Sequence, residues 1–451
     1  MTAYYYYDIC VKVLMHLQKY TGKMPAYKPL PWSSIGLLLL VFSLLTFGCV
    51  KDPTLPVLST DPVTEISITT VKISGIISDD GGAEITSRGF CWGTVTEPTI
   101  DDEMIVAGTG SGKFNAVLLN LQPNTSYHVR AFAENSAGIA YGNDVEFITN
   151  MAPPSVTTAE ISNIAALTAN CGGTVTYDGG AAITARGVCW STDPQPDIND
   201  PHTSEELGSG TFTSTLTNLT PASVYYVRAY VSNQSWTVYG EQVTFRTKLT
   251  DIQGNLYNTV PVGTKLWMAE NLRVTTLNDN SPIPEITDNA LWVAAAGPAY
   301  CWYNNDPTFK STYGALYNWF TAASGNLCPT GWHVPTDTEF NTMEIYLGMA
   351  SDQSEVWGWR GIDHGQKIKN QTGWDENGNG NNSSGLSALP GGYRFGADGS
   401  FYLQTTITYW WSSSEHDADR GWYRRLDSSK SQVYRASTSK KGGKYVRCVK
   451  D

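Results

Sequence analysis

Residues 328–340 read Cys-Pro-Thr-Gly-Trp-His-Val-Pro-Thr-Asp-Thr-Glu-Phe, and this stretch decides how the C-terminal part of the chain folds. Thr336 or Asp337 can cap a helix that begins after Pro335 and carries Glu339 in its first turn. The apolar residues that follow at helical spacing are Phe340, Met343 and Leu347. The stretch contains no nucleophile–base pair and no phosphate-binding loop, so it predicts a fold rather than a reaction.

Residues 251–451 surround this stretch with further motifs and hold 11 of the chain's 15 tryptophans. In chain order the motifs are LWMAENLR (266–273), YCWYNND (300–306), YGALYNW (313–319), ALPGGYR (388–394), YWWSSSE (409–415) and YVRCVKD (445–451). Together they resemble the Fibrobacter succinogenes major paralogous domain, which occurs on exported bacterial lipoproteins. The resemblance implies an α+β fold of the C-type-lectin-like kind, and the family has no well-defined activity.

The same resemblance implies a disulfide between Cys328 and Cys448, which occupy the paired positions of the family. An exported protein can form such a bond. Cys301 lacks its usual partner, because residues 307–313 contain no cysteine. We therefore expect Cys301 to be a buried free thiol.

Residues 53–149 and 151–247 are one unit written twice, with an offset of 98 residues. RGFCW (88–92) recurs as RGVCW (186–190), and alternating apolar residues with Gly/Asp turns predict β-sandwiches. The units resemble fibronectin type III domains, and the resemblance implies that Tyr127 and Tyr225 each fix a corner between sheets. We expect Trp92 and Trp190 to be core residues.

Three cysteines lie in the repeats. Cys91 and Cys189 occupy equivalent positions and are expected to be small buried residues. Cys171 should point inward, and the sequence leaves open whether it pairs with Cys189.

The start of the chain reads as a leader. Residues 35–47 form an apolar run of the length of a signal-peptide core, too short to cross a bilayer. Cys49 follows in a segment that resembles a bacterial lipobox, so we expect residues 1–48 to be removed and Cys49 to be lipidated. Met24 is a better start than Met1, which makes 1–23 an over-extended start. The expected location is the outer membrane, exposed at the cell surface.

Composition and charge exclude several function classes. The formal net charge of −12 argues against nucleic-acid binding, which requires a basic surface. The three histidines of residues 251–451 have no metal-ligand spacing, and no nucleophile elbow is present. The reactive cysteine pair of the related formylglycine-generating enzymes is also missing, so we expect no enzymatic activity.

One polar loop could hold a metal. Asp375, Asn377, Asn379 and Gly380 fit the first half of a calcium-binding loop. Leu386 occupies the position of the bidentate glutamate, so a plain turn-forming loop is the alternative. We expect no cofactor other than a structural Ca²⁺ at this loop.

Aromatic residues after this loop are the candidates for ligand binding, because large rigid rings contribute contact area at little entropic cost. Trp410 and Trp411 in a strand point to opposite faces, so one of them should be exposed. The last 22 residues carry seven basic residues, most of which we expect to solvate an edge strand, with the attraction of an anionic partner as the alternative. The candidate ligand-binding residues are Tyr393, Arg394, Trp410, Trp411 and Trp422.

The sequence therefore predicts two all-β fibronectin/Ig-like sandwiches followed by an α+β C-type-lectin-like domain (251–451). The expected function is a lipid-anchored cell-surface protein whose repeats form a stalk for a ligand-binding tip. A glycan or a surface protein is the expected partner. The alternative is a structural subunit of a surface appendage or envelope assembly.

Overall fold

The computed structural model describes residues 51–375 and 377–451. The predicted leader (1–48) and Cys49 lie outside these residues. The described chain forms two compact units: one contains the residues up to Asn120 with Ser126–Ile148, and the other contains Leu121–Thr125 with Thr149–Asp451. In both units the regular secondary structure is mainly β-strand. Among the described residues, no helix has the length and apolar character needed to cross a membrane.

The first unit contains eight strands in two antiparallel sheets. They are β1 (Val57–Thr60), β2 (Val71–Asp79), β3 (Ser87–Gly93), β4 (Glu103–Val106), β5 (Gly112–Leu118), β6 (Ser126–Asn135), β7 (Gly138–Tyr141) and β8 (Val145–Ile148). One sheet has the order β1-β2-β5 and the other β4-β3-β6-β7, with β8 also paired to β6. Phe90 and Phe114, which come from different sheets, are buried with their ring centroids 4.9 Å apart. The alternating pattern therefore produces a two-layered β-structure, as predicted.

The second repeat builds nearly the same arrangement. Its strands are β9 (Ser155–Thr158), β10 (Ala169–Tyr177), β11 (Ala185–Ser191), β12 (Gly210–Leu216), β13 (Val224–Ser232), β14 (Thr237–Tyr239) and β15 (Val243–Arg246). The sheets have the orders β9-β10-β12 and β11-β13-β14, with β15 also paired to β13. The hydroxyl of buried Tyr225 accepts a hydrogen bond of 3.0 Å from the N–H of Thr220, which ties the preceding turn to β13.

Trp190 is buried in the core of the second repeat, whereas Trp92 is only half-buried beside Glu103 of β4. Cys171 and Cys189 are both free, so the pairing considered for them does not form. They lie in different sheets, and their thiols donate to different carbonyl groups, those of Ala159 and Pro196 respectively.

The C-terminal domain contains the remaining strands and all the α-helices of the described chain. The strands are β16 (Leu249–Thr250), β17 (Leu256–Tyr257), β18 (Thr259–Val262), β19 (Lys265–Met268), β20 (Tyr300–Cys301), β21 (Leu316–Tyr317), β22 (Trp332–His333), β23 (Gly358–Arg360), β24 (Tyr393–Arg394), β25 (Phe401–Tyr402), β26 (Ile407–Glu415), β27 (Arg420–Asp427), β28 (Val433–Ser439) and β29 (Val449–Lys450). The helices are α1 (Asn289–Ala294), α2 (Lys310–Tyr313), α3 (Trp319–Ala322), α4 (Asp337–Tyr346) and α5 (His364–Ile368). Short 3₁₀ turns cover Tyr303–Asn305, Pro307–Phe309 and Ser351–Gln353.

Two four-stranded sheets organise this domain, with the orders β18-β19-β29-β22 and β23-β28-β27-β26. Two-stranded ladders join β16 to β17, β20 to β21 and β24 to β25. The domain thus contains both helices and strands, and its C-type-lectin-like character stays a prediction.

Helix α4 begins as the sequence predicts. The hydroxyl of Thr336 accepts from the N–H of Glu339, and the Glu339 carboxylate accepts from the N–H of Thr336, which together form a capping box. Phe340 and Met343 are buried, and Leu347 packs partly buried against the same core. The local signals of residues 335–347 therefore suffice to determine this helix.

A buried cluster of charges ties α4 to the second large sheet. Asp337 contacts Arg424 and Arg435 at 2.6 Å each, and Glu344 contacts Arg360 at 2.6 Å and Arg424 at 2.9 Å. Burial alone would raise the pKa of the Asp337 carboxyl, but hydrogen bonds and the charges of Arg435 and Arg424 hold it below its ordinary value. Asp337 therefore pairs with arginines of the sheet, in addition to lying at the start of the helix.

The disulfide between Cys328 and Cys448 is present, with the Cα atoms 5.9 Å apart. It joins the segment before β22 to the residue before β29. Cys301 is buried and free, as expected. Burial raises the pKa of the Cys301 thiol to about 12, so this thiol is protonated at neutral pH.

Candidate functional site

A row of aromatic side chains covers one face of the sheet β23-β28-β27-β26. Side chains alternate along each strand, so Trp359, Tyr434, Tyr423 and Tyr409 lie on the same face across four neighbouring strands. The centroid distances are 5.0 Å from Trp359 to Tyr434, 6.3 Å from Tyr434 to Tyr423 and 5.3 Å from Tyr423 to Tyr409. Tyr393 of β24 continues the row, 4.7 Å from Tyr409.

A pocket of about 420 Å³ opens at the end of this row. Tyrosine rings and small residues dominate its lining, which also includes one lysine. The lining residues are Tyr393, Arg394, Phe395, Gly396, Ala397, Tyr409, Tyr423, Thr438, Ser439, Gly442 and Lys444. A concave site of this volume is in the range of pockets that take small ligands.

Lys444, which lines the pocket, has an unusual environment for a charged side chain. Its residue is only 3% exposed, and its Nζ lies over the rings of Trp411 at 4.2 Å and of Tyr409 and Tyr423 at 5.2 Å each. Desolvation lowers the pKa of the Lys444 amine to about 7, and no charged neighbour contributes to this shift. The ammonium therefore lies among aromatic rings, without a carboxylate partner from the described residues.

Gly442 keeps the space beside this ammonium open. A Cβ atom at Gly442 would lie 2.7 Å from the Nζ of Lys444. Any larger residue at this position would therefore compete with the ammonium for space.

The tyrosine hydroxyls add hydrogen-bonding groups to the pocket. Burial is the main cause that raises the pKa of Tyr393, of Tyr423 and of Tyr409, the last to about 12. All three phenols therefore keep their protons at neutral pH. Each of these hydroxyl oxygens either has a hydrogen-bond partner in the described chain or is accessible to solvent.

Of the five residues predicted to bind ligand, Tyr393 lies at the pocket with a half-buried ring. Arg394 is 0% exposed, and its guanidinium donates to the carbonyl groups of Gly399, Ile286 and Thr287. Arg394 lines the pocket, but carbonyl groups of the protein already accept hydrogen bonds from its guanidinium, and ligand binding by Arg394 stays a prediction.

The prediction that one tryptophan of β26 is exposed is wrong. Trp410 is 3% exposed and Trp411 is 0% exposed. The indole N–H of Trp410 donates to Asn271, and that of Trp411 donates to the carbonyl of Tyr317. Protein covers both faces of this part of the strand, and these two indoles are core residues.

Trp422 is half-buried, and strand alternation puts it on the sheet face opposite to Tyr423. Its ring lies 4.8 Å from Trp357, which is 50% exposed, and 5.0 Å from His416. The guanidinium carbon of Arg435 lies 3.8 Å from its centroid. Trp422 is thus not part of the tyrosine pocket.

The predicted calcium loop is an exposed turn. Asp375 accepts a hydrogen bond from the hydroxyl of Thr405, and Asn379 accepts one of 3.0 Å from the N–H of Trp374. Asn377 has a positive φ of 59°. No group of three or more His, Cys, Asp or Glu side chains suited to a metal occurs in the described part of the chain. Calcium binding by this loop stays a prediction.

Lys444 is absent from the predicted site residues, because the basic residues of the last 22 positions are expected to solvate an edge strand. That expectation is wrong for Arg435, Lys440, Lys444 and Arg447, all of which are buried. Within residues 440–450, Lys444 pairs with Tyr317 and Tyr445 with Trp410, and the cations of Lys440, Lys444 and Arg447 are enclosed, whereas Lys450 is exposed. The sequence signal for the aromatic face is that three neighbouring strands each carry a tyrosine at a position on the same face. These residues are Tyr409, Tyr423 and Tyr434.

Comparisons with solved structures return low similarities. The FN1-FN3 domains of chicken CNTN1 are 15% identical, with a TM-score of 0.27, over 49% of this chain and 76% of that chain. The sensor domain of the anti-sigma factor RsgI4 of Pseudobacteroides cellulosolvens is 18% identical, with a TM-score of 0.18, over 21% of this chain and 94% of that chain. These TM-scores are too low for either likeness to bear on function.

No curated protein sequence matches the chain. The family model of the Fibrobacter succinogenes major domain matches residues 260–450. This range contains the capped helix α4, the disulfide and the tyrosine pocket. Residues 260–450 therefore match the Fibrobacter succinogenes major domain family, as their ordered motifs predict.

Proposed function

We propose that this is an exported, lipid-anchored protein of the outer-membrane surface whose C-terminal domain binds a ligand without catalysis. In this proposal the two β-repeats form the stalk, and the tyrosine pocket is the binding site for a glycan or surface protein in adhesion. The observation that carries the proposal is the pocket walled by Tyr393, Tyr409 and Tyr423.

A glycan is the ligand that the pocket favours. Its volume of about 420 Å³ suits a unit of small-molecule size, whereas a stable protein interface is a broad surface of roughly 800 Å² on each partner. Tyrosine rings provide apolar faces for the C–H face of a sugar ring, and their hydroxyls provide hydrogen bonds. The lining contains no carboxylate and no histidine, so it lacks the paired acid and base of a glycosidase.

The substitution Tyr423→Ala should weaken glycan binding by ~1–3 kcal/mol, because it removes an aromatic wall of the pocket. The measurement is retention of the full chain on an array of neutral, amino and acidic oligosaccharides, followed by calorimetry with the retained sugar. Tyr434→Ala is the matched control, since Tyr434 lies beside Tyr423 on the same sheet face but outside the pocket.

Equal losses in the two variants, or no loss in either, would contradict the assignment of the pocket. Concentration-dependent assembly of the full chain without retention on any sugar would instead favour the appendage-subunit alternative.

The anchor is tested separately. If Cys49 carries lipid, Cys49→Ala should abolish incorporation of a labelled fatty acid and release the protein from membranes without detergent. The lipobox-like segment that ends at Cys49 supports this part of the proposal. Unchanged membrane retention of the variant would refute it.

A further inference from the structure

We propose that the tyrosine pocket is specific for a carboxylated sugar, a hexuronic acid unit, whose carboxylate pairs with the ammonium of Lys444. This inference rests on the proposed ligand-binding function and names the ligand's chemistry.

Lys444 has no carboxylate partner among the described residues. Lys444 is nearly completely buried, and a buried charge is costly unless a group of opposite charge or a set of acceptors compensates for it. Asp337, Glu344 and Asp427 show how this domain treats other buried charges, because each carboxylate pairs with an arginine. For Lys444 the compensation consists of the rings of Trp411, Tyr409 and Tyr423.

A ligand in the pocket can reach Lys444. Lys444 lines the pocket together with Gly442, whose missing side chain leaves room next to the ammonium. A ligand carboxylate can therefore approach Lys444, the lysine of the pocket lining, which has no carboxylate partner among the described residues. Arg394 also lines the pocket, but carbonyl groups and Asn289 hold its guanidinium.

The rest of the pocket lining also suits a carboxylated sugar. Three neutral phenols line the pocket, two of them (Tyr409 and Tyr423) beside the ammonium, and the pocket wall contains no carboxylate that would repel an anion. The rings suit the apolar face of a pyranose and the hydroxyls suit its polar edge. A ring that carries one carboxylate fits both features, whereas a neutral hexose leaves the ammonium unpaired.

The test compares glucuronate and galacturonate with glucose and galactose, each as the reducing-end methyl glycoside, by calorimetry on the full chain. We expect a uronate to bind at least tenfold more tightly than its neutral counterpart. Lys444→Gln should remove this preference and retain the weak binding of the neutral sugar. Lys430→Gln is the matched control, because Lys430 is exposed and its substitution changes the net charge equally.

The pH dependence provides a second readout that needs no variant. Because the pKa of Lys444 is lowered to about 7, the charged fraction of the amine falls about tenfold between pH 6 and pH 8. The affinity for the uronate, which is ionised throughout, should fall by about the same factor, while that for the neutral sugar should stay constant. The phenols of Tyr393, Tyr409 and Tyr423 do not titrate in this range, since burial raises their pKa values.

Different results would refute the preference for a uronate and the assignment of the pocket as a glycan site. Equal binding of uronate and neutral sugar, or a preference that Lys444→Gln leaves intact, would overturn the inference but keep the pocket as a glycan site. Pairing of Lys444 with a phosphate or sulfate instead would appear as tighter binding of the sulfated or phosphorylated glycoside, and would also overturn it. Binding of no sugar would remove the proposed function itself.

Discussion

Reduction of the Cys328–Cys448 disulfide is expected to lower the free energy of unfolding of the C-terminal domain by about 4–5 kcal/mol. The bond closes a loop with a sequence separation of 120 residues, and the chain-entropy model relates such a loop to a stabilisation of this size. Tryptophan fluorescence during denaturant unfolding is a suitable measurement, because 11 of the 15 tryptophans lie in residues 251–451.

The chain provides an internal control for this experiment. The described cysteines outside the bond are all free, so a reductant has no other disulfide to break in residues 51–375 and 377–451. The double variant Cys328→Ser/Cys448→Ser should unfold at the same low denaturant concentration with and without reductant. If reductant leaves the unfolding midpoint of the unsubstituted chain unchanged, the bond does not contribute as stated.

The substitution Lys444→Met is expected to stabilise the same domain at pH 6 by up to about 5 kcal/mol, less the part that the contacts of the ammonium with three aromatic rings offset. Desolvation lowers the pKa of Lys444 from 10.5 to about 7, and each pKa unit corresponds to about 1.4 kcal/mol. Methionine fills a similar volume among Trp411, Tyr409 and Tyr423 without a charge. The measurement is the difference in denaturant midpoint between variant and unsubstituted chain.

The sign of the pH dependence follows from linkage. The folded state holds the Lys444 proton less tightly than the unfolded state, so the cost is fully present below pH 7 and disappears as the pH rises towards 10.5. The gain from Lys444→Met should therefore shrink to at most about 2 kcal/mol at pH 9. A gain that is the same at both pH values, or a loss of stability at pH 6, would show that Lys444 is not desolvated as described.

These two expectations concern opposite contributions to the same domain. We expect the disulfide to stabilise it and the desolvated Lys444 to destabilise it. A residue that costs stability and lines a pocket is more readily explained by function than by folding, because apolar residues of similar volume would hold the core better.

Local features of the fold could be predicted from the sequence. The capping box of α4 depends on Thr336 and Glu339, three residues apart, and needs no knowledge of the rest of the chain. The two repeats could be predicted because equivalent motifs recur at a constant offset of 98 residues. The disulfide followed from a resemblance rather than from the residues alone.

The site could be predicted only in part, because burial is a property of the whole fold. Strand alternation assigns Trp410 and Trp411 to opposite faces, but only the tertiary structure shows that Asn271 and Tyr317 cover both of them. The same limit applies to Lys444, which looks like any other member of a basic segment. Tyr393 could be predicted because it lies in the aromatic cluster that follows the polar loop.

The position of β29 has a consequence for biosynthesis. Val449 and Lys450 lie between β19 and β22, where Val449 is opposite Trp267 and Lys450 is opposite Trp332. The sheet therefore cannot close until residues 449–450 have left the ribosome, and the same segment supplies Cys448 for the disulfide. A chain that stops before Cys448 lacks both elements, so the edges of β19 and β22 stay unpaired in such a truncated product, which we expect to be more sensitive to proteolysis.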